Sequence, residues 1–116
     1  MTIRQAIDRL DSRMANTFTN ADKVAWLSTA DSRIGINIFN TSGIEYSESE
    51  LDIFLLAPTP FDEMYLYYLE AMIHYQNGEN DRYNAAIILY NNAFDEFAAF
   101  NMRTEKPKQK ASRFVF

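Results

Sequence analysis

TPFDEMYLYYLEAMIHYQNGENDRYNAAIILY, residues 59–90, decides how the rest of this chain is read. Thr59 before Pro60 is a strong helix-start signal: threonine serves as the cap, and proline occupies a first-turn position where its missing N–H does no harm. Asp62 and Glu63 then place two carboxylates in the positive first turn. Phe61, Met64, Tyr65, Tyr68, Leu69, Met72 and Tyr75 recur at helical spacing as one broad apolar stripe, and Asn77-Gly78 ends it. After the turn at 78–80, Tyr83, Ala86, Ile87, Tyr90, Phe94, Phe97, Ala98 and Asn101 continue at helical spacing until Pro107 forbids it. So short a connection makes the two helices an antiparallel hairpin.

Working back toward the N-terminus, TIRQ (2–5) matches a capping box, and Ile3, Ile7, Leu10 and Met14 form one stripe, which predicts a helix over residues 3–14. Thr19 or Asn20 caps the next helix, expected over 21–39, with Val24, Leu27, Ala30, Ile34 and Ile38 on one face. Gly35 weakens it by about 1 kcal/mol relative to alanine. Thr41 to Gly43 should stop it. Residues 44–59 read as an irregular acidic excursion with one anchor, LDIFLL (51–56), as a short strand or an extended packing segment. Four helices without strand alternation or internal repeat predict an all-α antiparallel bundle with a long connection before the third helix.

At 116 residues the chain is expected to be one helical domain over 1–103 followed by an extended C-terminal arm, 104–116. It has no cysteine, which removes disulfides, thiolate nucleophiles and cysteine metal sites. No secretion signal is expected at the N-terminus, and no apolar run approaches the roughly 20 residues of a membrane span. Charge is divided by region. Residues 1–103 sum to −8, whereas 104–116 sum to +3, and no basic residue lies between Arg33 and Arg82. Such a body repels nucleic acid, since binding it requires cations that displace condensed counterions.

Enzymatic motifs are missing: there is no glycine-rich phosphate loop, no nucleophile elbow and no His-Glu-x-x-His. His74 with Glu70 one turn before it reads as a structural pair, so the chain is expected not to be an enzyme and to need no cofactor or metal. Leu66, Tyr67 and Ile73 sit off the main stripe of the third helix, as Ile88, Leu89 and Phe100 do on the fourth. Either a neighbouring chain or the first two helices cover these positions. Glu45, Glu48, Glu50 and Asp52 form a solvated loop or a surface beside a channel or a basic partner. The terminal segment carries Lys106, Lys108, Lys110 and Arg113 and ends Phe114-Val115-Phe116. Two phenylalanines around a valine gain nothing from water, which favours an arm that docks on another chain.

PTPFDEMYLYYLE (58–70), YQNGE (75–79), RYN (82–84) and YNNAFDEF (90–97) with Arg103-Thr104 resemble the head-tail connector family of tailed bacteriophages, also called adaptor or neck proteins. TIRQAI (2–7) and KVAWL (23–27) are similar to that family's opening. The resemblance implies a structural virion protein of the neck, at the head-tail interface, made in the bacterial host cytoplasm. It implies a closed ring of about twelve copies below the portal that continues the DNA channel. It further implies contact with the portal protein through the C-terminal arm and with the next neck or tail protein, while DNA passes without sequence-specific binding. A different class stays open beside it, a monomeric helical protein-binding or regulatory module presenting the acidic loop.

Overall fold

The computed structural model describes residues 1–105, with side chains through 103. Four helices follow in order: α1 (Ile3–Arg13), α2 (Asn20–Asn37), α3 (Glu63–Gln76) and α4 (Asn80–Glu105). The fold is all-α. Among the described residues the only β pairing is an isolated antiparallel bridge between Thr2 and Phe54. The expected domain boundary after residue 103 falls inside α4, and the arm residues 106–116 lie outside the described residues.

Both N-terminal helices begin with a capping box. Thr2 and Gln5 exchange side-chain and backbone bonds at α1, and Thr19 and Asp22 do the same at α2. Two orphan amide donors are satisfied at each end. α2 stops two residues before the predicted end. Its Ile34 carbonyl accepts from both Ile38 and Phe39, and Asn40 then takes a left-handed φ of 59°, a conformation asparagine tolerates better than most residues. The reversal is therefore made at Asn40 rather than at Gly43. It sends the chain back along α2 so closely that a Cβ on Gly35 would lie 2.7 Å from Thr41 Oγ1.

α3 corrects the predicted start. Thr59 does not cap it and Pro60 is not its first residue; residues 59–62 form a turn that brings the Phe61 N–H to the Pro58 carbonyl at 2.7 Å around a cis Thr59-Pro60 bond. The Thr59 hydroxyl donates to Asp62 Oδ2, which also receives the Met1 amino group at 3.2 Å. Asp62 occupies the cap position without making a side-chain cap bond. Its carboxylate is spent tying the chain start to the α3 entry.

α3 is the central helix. α1 and α2 pack against one side of it and α4 along the other. The hairpin interface is an aromatic ladder with a seven-residue repeat on each strand of the pair. Phe61, Tyr68 and Tyr75 meet Phe97, Tyr90 and Tyr83 at centroid distances of 5.3, 5.0 and 5.6 Å, all tilted. Seven residues are nearly two helical turns, so each step returns the ring to the same face. Such ring pairs contribute about 0.5–1.5 kcal/mol each beyond buried area. α4 is 26 residues long, about 39 Å, against 14 residues for α3, so it outruns its partner at the C-terminal end.

Candidate functional site

The long α2–α3 connection is ordered by a polar stripe on α2. Ser28 Oγ accepts the Tyr46 N–H at 2.9 Å, and Ser32 Oγ both donates to the Ile44 carbonyl and accepts its N–H at 2.7 and 2.8 Å. Asp31, fully buried, accepts from Tyr46 Oη and Tyr65 Oη, both at 2.6 Å, and from the Leu56 N–H at 3.1 Å. Tyr65 Oη in turn accepts the Ala57 N–H at 2.7 Å. One carboxylate thereby holds loop, α2 and α3 together. Burial pushes Asp31 above the usual carboxylate range, and the three donors only partly offset that.

Further along, the connection is extended and runs beside the chain start. Ile3 and Arg4 donate to the Ile53 and Leu51 carbonyls, and Leu55 donates to the Met1 carbonyl. Of the expected anchor, Leu55 is buried, whereas Phe54 is 72% exposed and points outward.

The acidic residues of this connection do not act as a set. Asp52 meets Arg4 at 3.1 Å on the surface. Glu50 accepts the Ser47 N–H at 2.7 Å, and its backbone and side-chain bonds to Ser47 hold it below the usual range. Glu45 and Glu48 make no side-chain hydrogen bond or ion pair among the described residues. Those two rim a groove of about 640 Å³ between the outer face of α2 and residues 43–48. Its walls are Ala21, Val24, Ala25 and Thr29 from the helix and Ile44 and Tyr46 from the loop.

The six positions expected to pack against a neighbour divide. Leu66 is 0% exposed and Ile73 2%, because α3 is covered on both sides by its own chain; these two are core residues, which removes them from any subunit surface. Tyr67 and Phe100 are half-buried against the core, Phe100 with its ring 4.8 Å from Phe61. Ile88 and Leu89 remain 57% and 49% exposed on the side of α4 turned away from α3. Ala85 and, farther along, Ala99 and Met102 are exposed on the same helix.

His74 is not paired with Glu70. Its Nδ1 lies 2.7 Å from Glu79 across the α3–α4 turn, while Glu70 and Glu63 share Arg13 of α1 at 3.2 and 2.6 Å. Lys23, buried, reaches Asp11 at 2.8 Å; burial opposes that carboxylate's charge, and the Lys23 and Asn16 bonds outweigh it. Among the described residues no three His, Asp or Glu side chains could share a metal ion, and no helix is long and apolar enough to cross a membrane. The arm residues Lys106, Lys108, Lys110, Arg113, Phe114, Val115 and Phe116 lie outside the described residues.

Sequence reasoning passed over Ser28, Asp31 and Ser32, which position the loop. Their signal is present: with Gly35 they recur at three, one and three residues, a polar stripe one step round the helix from the apolar one. Compared with known protein families, curated proteins and solved structures, the chain matches none.

Proposed function

We propose that this protein is a structural, non-enzymatic subunit of the neck of a tailed bacteriophage, a head-tail connector that assembles with copies of itself below the portal. The observation that carries the reading is the outer face of α4: a 26-residue helix packed on one side only, with Ile88 and Leu89 exposed at its middle. Two neighbouring apolar side chains left open at the middle of a long helix suit a surface that meets another chain. The likeness of residues 58–104 to the connector family supplies the identity of the assembly. In this reading α4 packs laterally against the next subunit, Glu45 and Glu48 add negative charge to a passage along which DNA slides without adhering, and the C-terminal segment attaches to the portal.

The test is co-sedimentation with isolated portal rings, using the full chain and a chain ending at Arg103. Binding by the full chain alone assigns attachment to the terminal segment. Binding by neither overturns the neck reading. A second reading, a monomeric module that offers the acidic loop to a basic partner, draws on the unpaired Glu45 and Glu48. It takes the lead if the chain is absent from purified particles and sediments as a single subunit.

A further inference from the structure

We propose that the open face of α4 in one copy of this chain packs against the C-terminal end of α2 in the next, with Asp95 and Glu96 of α4 paired to Arg33 of α2. It rests on the self-association in the reading above and names the surface that α4 meets.

Arg33 is the only lysine or arginine between Lys23 and Arg82, within residues 1–103 that sum to −8. It is exposed, and among the described residues it makes no ion pair. Its guanidinium lies over the ring of Tyr68, 5.6 Å from the centroid, and among the described residues no other cation is stacked in this way. Tyr68 is buried in the hairpin, so the planar group rests on a fixed support while its N–H edges stay free for a carboxylate. One turn on, Ile36 is 50% exposed, and just beyond the helix end Phe39 is 38% exposed with its ring edge-on to Phe97. The end of α2 therefore offers a cation followed by two apolar side chains.

α4 offers the reverse order. Ile88, Asn92, Asp95, Glu96 and Ala99 fall at steps of four, three, one and three, one stripe on the side turned from α3, and all five are exposed. Leu89 lies beside Ile88. Asp95 and Glu96 make no side-chain hydrogen bond or ion pair among the described residues. Here two apolar side chains are followed, about two turns later, by two anions. Laid antiparallel, the two helices bring cation to anions and apolar pair to apolar pair. Laid parallel, they set Arg33 against Ile88 and the carboxylates against Phe39, so charge fixes the direction of the contact while the apolar side chains supply the attraction.

The occupant is another copy because a chain cannot make this contact with itself. Its own carboxylates point away from α3, whereas its own Arg33 lies on Tyr68 of α3. The two surfaces also differ, so the contact is head-to-tail, the type that builds rings.

Sedimentation velocity on full-length chains tests the pairing. Arg33→Glu, and separately Asp95→Arg with Glu96→Arg, should each weaken self-association at least about tenfold, since each sets like charges against one another. Mixed in equal amounts, the two variants should associate to within about threefold of the native chain, because the reversed α2 of one meets the reversed α4 of the other and the remaining native surfaces meet each other. Asp95 and Glu96 are exposed and unpaired, so their variant keeps its helical circular dichroism. Arg33 touches Tyr68, so a second probe leaves it in place. The native chain has no cysteine, and Ile36→Cys chain mixed with Ile88→Cys chain under a short bis-maleimide should give the mixed dimer at least about fivefold faster than either like dimer. Variants that associate as the native chain does overturn the proposal. So do folded variants whose mixture stays apart, and mixed and like dimers that form at equal rates. The two levels separate in the same runs: native association untouched by both reversals leaves the self-association standing and removes this contact, whereas a native chain that stays a single subunit removes both. Rescue by mixing in a chain that never binds portal rings keeps the contact and removes the neck.

Discussion

Replacing Asp31 by alanine strands three donors at once, the Tyr46 and Tyr65 hydroxyls and the Leu56 amide. A buried donor left without an acceptor costs about 1–3 kcal/mol. Tyr65 is fully buried and bears the whole cost, whereas Tyr46 and Leu56 are half-buried and recover part of it from water. Against this stands the relief of no longer holding a desolvated carboxylate, roughly 1 kcal/mol back, so the net expectation is a loss of about 2–3 kcal/mol. For a domain near this size that lowers Tm by about 10 °C or more. Urea unfolding followed by circular dichroism measures the loss, and amide exchange at Tyr46, Leu56 and Ala57 should accelerate before the rest of the chain opens. Asp31→Asn keeps one acceptor oxygen and should lose less. Burial raises the folded-state pKa of Asp31, so the folded chain holds that proton more tightly than the unfolded chain. Its contribution is then most favourable below the ordinary carboxylate value of 3.8 and declines as pH rises through the window up to the raised one. The stability gap between the native chain and Asp31→Asn should shift against the native chain over that window and level off above it. An Asp31→Ala loss under about 0.5 kcal/mol, with unchanged exchange at the three amides, refutes the idea that this carboxylate organises the loop.

Two further outcomes are expected. Burial first, and Asp31 next, raise the phenols of Tyr46 and Tyr65, and burial raises those of Tyr68 and Tyr90, with Arg33 opposing it in both. Folded values above the unfolded value near 10 mean stability is lost as pH climbs past it; ultraviolet titration should show these four ionising together with loss of helix, and a single early, reversible step for all seven tyrosines contradicts it. Ile88→Glu with Leu89→Glu changes two half-exposed side chains, so monomer stability should move by no more than about 0.5 kcal/mol while self-association, read by sedimentation, is lost; unchanged assembly removes α4 from the lateral contact.

What local chemistry decides was legible in the sequence. The Thr2–Gln5 box and the Thr19 cap need only residues three apart, and both form as the pattern requires. Thr59-Pro60 misled because its signal is also local, while the force acting on it is not. Asp62 is engaged by the Met1 amino group sixty-one positions away, and Thr59 donates to that same carboxylate instead of capping an amide. The connection over 38–62 looked irregular because its hydrogen-bond partners are side chains of another element. A strand announces itself by alternation; a loop held by Ser28, Asp31 and Ser32 of a helix leaves its signal on that helix, where it resembles an ordinary solvated stripe.

The two-sided apolarity of the hairpin shows why a surface is harder to read than a core. Leu66 and Ile73 on α3 lie off the main stripe in the same way as Ile88 and Leu89 on α4, and periodicity treats all four alike. Their fates separate through layering alone. α3 lies between α4 and the α1–α2 pair, so both of its sides are covered; α4 has no other helix packed on it, so its second side stays open. Position in the stack is a property of the whole chain that no window of residues contains. The same reasoning narrows the functional claim: lateral contact, if it runs through the hairpin, runs through α4. An aromatic ladder repeating every seven residues then gives that outer helix a stiff backing. A partner pressing on Ile88 and Leu89 meets a surface whose far side is already fixed against Tyr68 and Phe61, so binding there incurs little further ordering cost.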